Sequence, residues 1–125
     1  AYTNRCRDLL PLADGSVLVT RERTLARLDP DGMPLWHLQN GAGRYLDPRD
    51  IAIDDAGVIW VSQRGSYTSI NSGVASVLRF GLDGTFLGSD QFICPGCVFS
   101  AAESVDVLPN GEVMVVGQGG QGGAV

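Results

Sequence analysis

Three octapeptides in this chain align on a glycine: residues 8–15 (DLLPLADG), 50–57 (DIAIDDAG) and 104–111 (SVDVLPNG). Each leads into a short β-prone run, Val17-Leu18-Val19-Thr20, Ile59-Trp60-Val61-Ser62 and Val113-Met114-Val115-Val116. A second pair also aligns, residues 25–32 (LARLDPDG) with 77–84 (VLRFGLDG), and both members lead into a further apolar stretch. Repetition on this scale constrains the fold more than any other feature, because each copy is one supersecondary unit that buries its face only against its neighbours. Glycine after Asp or Asn between β-prone runs is the local signature of a hairpin.

Each unit therefore reads as four antiparallel strands, a to d, with glycine turns between a and b and Asp-Gly turns between c and d. Gly15 and Gly57 stand 42 residues apart and Gly57 and Gly111 54 apart, spacings that suit four-stranded β-propeller blades. About ten extra residues enter between strands b and c of the second unit, around 64–75, and two more enter near Cys94 to Cys97. The expected fold is all-β: a single partial propeller domain over 1–125, with blade one at about 5–46, blade two at about 47–100 and half of blade three at about 101–125. Ten strands fall short of the about four to eight complete blades that close a ring. The reading is thus either a fragment of a longer polypeptide that supplies the remaining blades, or a subunit that self-associates through open blade edges.

Composition narrows the function. Seventeen glycines and six prolines against 44% apolar residues agree with many short strands and tight turns. Fourteen acidic residues outweigh nine basic ones, all of them arginine, for a net charge of -5. A non-specific nucleic-acid binder needs the opposite surplus to release counterions. No run approaches the roughly 18 apolar residues of a membrane span. The chain opens on Ala1 without a charged and apolar leader, so any targeting segment is expected to have been removed or to lie outside it.

Of the three cysteines, Cys94 and Cys97 form a CPGC loop that reads as a structural disulfide, a redox pair, half a metal site or two inert thiols. Val98 stands where a c-type haem motif needs histidine. A zinc site of cysteine and histidine alone would need Cys6, both loop cysteines and His37, at a spacing that gives no sign of it. The CPGC loop, the absence of lysine and the polar loops together point to a secreted or extracytoplasmic protein.

The second unit carries a family likeness. Residues 46–61 (LDPRDIAIDDAGVIWV), then Val77-Leu78-Arg79-Phe80 and Asp83-Gly84-Thr85-Phe86-Leu87, resemble an NHL repeat in the proline-led first strand, the Asp and Gly turn, the aliphatic and aromatic second strand and the third strand ending in Asp-Gly. The other two units depart from it, with Cys6 and Ala102 in place of the leading proline. The likeness implies the propeller. Related propellers include gluconolactonase-like enzymes, antibiotic lyases, peptide-amidating lyases and plain binding scaffolds, so it leaves the activity open.

Propeller geometry sorts the residues by face. The a-b and c-d turns share one face, while the 64–75 insertion, the CPGC loop and the glycine run 117–123 are expected on the other, the usual seat of binding. There the residues entering strand a line a channel mouth: Arg7 and Asp8, Arg49 and Asp50, Glu103 and Ser104. As a binding site they form a polar ring for a carboxylate, sugar or metal; as structure they tie one blade to the next. Arg64, Tyr67 and Asn71 belong to the loop face as an adaptable contact surface. Asp8, Asp50 and Glu103 are the carboxylates that would hold a divalent cation such as calcium in a metal-dependent, lactonase-like hydrolase or lyase. The leading expectation needs no cofactor: a non-catalytic module that recognises a protein or glycan partner. Trp60 reads as inter-blade core, Trp36 as an outer-edge packing residue and His37 as a solvated one.

Overall fold

A computed structural model describes residues 6–39, 46–63, 75–92 and 99–120. They form ten strands: β1 (Cys6–Pro11), β2 (Val17–Arg21), β3 (Thr24–Leu28), β4 (Pro34–Gln39), β5 (Pro48–Ile53), β6 (Ile59–Gln63), β7 (Ala75–Phe80), β8 (Phe86–Phe92), β9 (Phe99–Val107) and β10 (Val113–Gly120). Pairing divides them into two four-stranded antiparallel sheets, β1-β2-β3-β4 and β5-β6-β7-β8, and a two-stranded sheet, β9-β10. No helix occurs among the described residues. Strand number, order and pairing match the units read from the repeat.

Five hairpins turn at one end of the sheets, through residues 12–16, 29–33, 54–58, 81–85 and 108–112. In each, the first residue's amide donates to the fifth residue's carbonyl and the glycine amide donates back to the first carbonyl, at 2.7–3.1 Å. The glycine holds φ between +83° and +90°, a region that L side chains enter only with strain, which explains why glycine recurs at this one position. A side chain completes every turn. Asp14, Asp83 and Asn110 each accept the amide two residues on, while Asp29 and Asp54 each accept amides two and four residues on. Gly15, Gly57 and Gly111 thus mark equivalent bends.

Alternation along the strands assigns the faces. Leu18 and Leu25 of the first sheet meet Ile51, Ile59, Val61, Leu78 and Phe80 of the second, with Leu46 joining them, in the main core. On its other face the second sheet packs Val77, Ala52 and Trp60 against Ala102, Val105, Val113 and Val115 of the third. Each four-stranded sheet is sandwiched or capped by apolar side chains, the arrangement a sheet needs to be stable in water.

Two sequence expectations change, those for residues 117–120 and for Trp36. Residues 117–120 extend β10, pairing with 102–99 after a register shift at Val116/Gly117; backbone ladders need no side chain, and β9 offers a partner along that whole length. The strand that pairs with it, β9, spans Phe99–Val107. Trp36 lies between the first two sheets, its Nε1 donating to the Leu82 carbonyl at 2.8 Å, because Gly84 has no side chain to bar the indole. Met114, the counterpart of Leu18 and Trp60, is 52% exposed, since nothing described packs beyond it. Trp60 is indeed inter-sheet, and His37 lies exposed on β4.

Candidate functional site: a carboxylate and hydroxyl row on the first strands

β1, β5 and β9 lie side by side, so equivalent residues near their starts come into line. Asp8 on β1 accepts the Leu9 amide through Oδ1 at 2.9 Å and reaches the Ile51 amide of the next sheet through Oδ2 at 3.4 Å. Asp50 on β5 repeats the move. Its Oδ1 accepts the Ile51 amide at 2.9 Å, and its Oδ2 accepts the Val105 amide and the Ser104 hydroxyl of the third sheet, both at 3.0 Å. The aspartates are therefore stitches from one sheet to the next.

The two carboxyls also lie within hydrogen-bonding reach of each other. Partial burial, then the neighbouring Asp50, push Asp8 above the ordinary carboxylate value. Burial acts upward on Asp50 too, yet the Val105 amide, the Asp8 carboxyl, the Ser104 hydroxyl and the Ile51 amide together hold it below that value. The two carboxyls titrate as a pair, with Asp8 shifted up and Asp50 shifted down.

Behind them stand two buried hydroxyls. Thr20 is paired across from Asp8 and Ser62 across from Asp50; both oxygens are buried and make no hydrogen bond among the described residues. The sequence reading missed these hydroxyls, although both follow the glycine turn at the same offset.

The other expected site residues scatter. Arg49 is half-buried with its Nε unpartnered among the described residues, and Glu103 points to solvent on β9. No group of three His, Cys, Asp or Glu side chains is placed to hold a metal ion among the described residues, so Asp8, Asp50 and Glu103 do not come together as one ligand set. The Arg7 side chain, Arg64, Tyr67, Asn71, Cys94 and Cys97 lie outside the described residues. No helix of the described residues is long and apolar enough to cross a membrane.

A second constellation joins the sheets at the turn end. Arg27 donates through Nε to Ser16 Oγ at 3.1 Å, through Nη2 to Asp14 at 2.8 Å and through Nη1 to the Leu82 carbonyl at 3.0 Å. Leu82 thus receives both Arg27 and Trp36. The sequence signal was the arginine repeated at the same place in both c strands, Arg27 and Arg79. An open groove at this end is lined by Ile53, Asp54, Ala56, Val107, Pro109 and Gly111, between the second and third sheets.

No protein-family model matches the chain, and no curated protein matches it. Among solved structures it is similar to a protein of unknown function from Bacteroides caccae, with 16% identity over 88% of this chain and 37% of that one, at a TM-score of 0.63. The chain spans little more than a third of that protein's length, and at this identity the likeness is one of fold alone.

Proposed function

We infer that the three sheets are successive blades of an NHL-like β-propeller, and that the chain serves as a non-catalytic, extracytoplasmic module recognising a protein or glycan partner. One observation carries this reading. Five turns at one end of the sheets share a single build, whereas connections at the other end differ: two residues, Glu22 and Arg23, join β2 to β3, but 64–74 join β6 to β7. Uniform turns on one side and unlike loops on the other are the pattern of a scaffold that displays a contact surface. Engagement of Asp8 and Asp50 with backbone amides supports structural ties over catalytic carboxylates.

The test is a screen of the full chain on glycan and peptide arrays. A variant carrying Tyr67→Ala and a shortened 66–74 segment is expected to lose the ligand and keep its far-ultraviolet spectrum. A chain that finds no ligand, or binds equally well after shortening, overturns the reading.

A further inference from the structure

In the turns at 12–16, 81–85 and 108–112 the third residue supplies the side chain that closes the turn, and it is matched to the fifth residue as acceptor to donor. Asp14 accepts the Ser16 amide at 2.9 Å and the Ser16 hydroxyl at 2.5 Å. Asp83 accepts the Thr85 amide at 3.0 Å and the Thr85 hydroxyl as well. At 108–112 the side-chain roles are exchanged. Asn110 accepts the Glu112 amide through Oδ1 at 3.0 Å, but its Nδ2 donates to the Glu112 carboxylate at 2.6 Å. A carboxylate goes with a hydroxyl in the first two turns, and an amide with a carboxylate in this one.

Asn110 is followed by Gly111. The amide nitrogen of a residue after asparagine can attack the asparagine's own Cγ, and a glycine puts no side chain in the way. The closed turn withholds both reactants. The Gly111 amide is committed to the Leu108 carbonyl at 2.9 Å, and the Asn110 side chain is held at its oxygen and its nitrogen by residue 112. Opening of the turn frees them together. The third place is exposed in all five turns, those of the two four-stranded sheets included, with Asp14 at 57%. Water and hydroxide therefore reach this place in a complete sheet too.

We propose that Asn110 is a site of spontaneous deamidation gated by its own turn, and that the change converts a donor and acceptor pair into two facing carboxylates. In the open turn the Gly111 nitrogen loses its proton to hydroxide and bonds to Asn110 Cγ. The bond from Cγ to Nδ2 breaks, and Nδ2 takes a proton from water and leaves as ammonia, restoring the hydroxide and leaving a cyclic imide. One water then opens the imide at either carbonyl, to aspartate or to isoaspartate. The sum is amide plus water to acid plus ammonia.

Aspartate at this place still accepts the amide of residue 112, as Asp14 and Asp83 do for their partners. It has no proton to give the Glu112 carboxylate and repels it instead. Isoaspartate adds a carbon to the backbone and breaks the five-residue spacing of the turn. Neither product regains the amide, so the turn is loosened irreversibly. This inference stands apart from the partner reading, since 108–112 lies at the end of the sheets opposite the 64–74 connection.

The test holds the full chain and a free peptide of residues 106–114 in mildly alkaline buffer and follows both by peptide mapping with mass detection. Mapping reads Asn110 apart from the second Asn-Gly pair, Asn40-Gly41, which includes positions outside the described residues. Asn110 is expected to convert in both, roughly tenfold more slowly in the chain, because only the opened fraction of the turn reacts. Glu112→Ala should speed the chain roughly fivefold and leave the peptide unchanged. A chain as fast as the peptide, an Asn110 that stays intact while the peptide converts fully, or a Glu112→Ala chain no faster than the parent would each overturn the gate. Asn110→Asp supplies the product directly. It is expected to lower the melting temperature of the parent and to have little effect beside Glu112→Gln, since the second change removes the facing charge. Equal shifts in the two backgrounds, or none in either, would overturn the carboxylate clash.

Discussion

The contact between the first and second sheets differs from that between the second and third. Across the first contact, polar groups reach outward: Arg27 and Trp36 both donate to the Leu82 carbonyl of the next sheet. Across the second, the counterparts turn back on their own sheet. Trp60 Nε1 donates to Asp54 at 3.0 Å, and Arg79 lies 5.8 Å from the Trp60 ring with its Nε buried and without a hydrogen-bond partner among the described residues. The indole has also changed strand. Leu18, Arg27 and Trp36 form one cross-strand row, while Trp60, Arg79 and Gly88 form the other, and the space that Trp36 fills in the first sheet is taken in the second by the Arg79 guanidinium over Gly88. A shared backbone plan thus tolerates two side-chain solutions, and the presence of a complete hairpin on the next sheet accompanies the outward one.

The largest expected effect tests the two cores. Phe80 is fully buried in the first contact and meets Phe86 edge-on, ring centroids 5.7 Å apart; Phe80→Ala should cost about 3–5 kcal/mol of unfolding free energy. Val105→Ala in the second contact should cost about 1–2 kcal/mol. Urea denaturation of both variants checks the ranking. Equal losses would mean that the two contacts are energetically alike.

Next come two glycines with one conformation and different neighbours. Gly84 and Gly111 both hold φ +87°, but a Cβ on Gly84 would sit 2.9 Å from the Trp36 ring, whereas one on Gly111 would meet nothing. Gly111→Ala isolates the backbone strain, about 1–2 kcal/mol. Gly84→Ala adds displacement of the indole and should cost roughly 1 kcal/mol more. If the two variants melt together, the indole does not rest on that turn.

Arg27→Ala removes three hydrogen bonds, one of them an ion pair with an exposed Asp14 that solvent screens. A loss of about 1–2 kcal/mol is expected. Arg79→Ala gives up chiefly its contact with Trp60, about 0.5–1 kcal/mol. Thermal melts of the pair in low and high salt should separate them, with Arg27→Ala the more salt-sensitive.

The strands and turns were legible in the sequence because one backbone requirement repeats: a left-handed residue fourth in each five-residue turn selects glycine at positions 15, 32, 57, 84 and 111. The aligned Asp8, Asp50 and Ser104 were legible for the same reason. What they do was not, because alignment places residues at equivalent heights without saying whether a carboxyl faces solvent or a neighbouring amide. Trp36 was misread because its environment comes from Leu82 and Gly84, 46 and 48 positions away, and periodicity along β4 carries no word of them. The strand character of 117–120 escaped because glycine lacks the β-branched signal; only its pairing with β9 reveals it.

The smallest effect separates the first stitch from the second by pH. Asp8 is raised above its ordinary 3.8 by burial and by Asp50, so the folded chain retains a proton that the unfolded chain has released. Its contribution is full below 3.8 and is lost as pH rises through the raised value. Asp50, held below 3.8, contributes in the opposite sense: its stabilisation is present above 3.8 and is lost as pH falls through the lowered value. Asp8→Asn mimics the protonated acid, since its amide donates to Asp50 at every pH and removes the repulsion. The variant should match the parent near pH 3 and exceed it at pH 7 by roughly 0.5 kcal/mol, a modest figure because Asp8 is only partly buried and solvent screens the repulsion. Ser104→Ala should weaken only the Asp50 stitch, costing about 0.5–1 kcal/mol near neutral pH and less in acid. Denaturation midpoints from pH 3 to 7 measure both; an Asp8→Asn curve parallel to the parent's would show that the two carboxyls titrate independently.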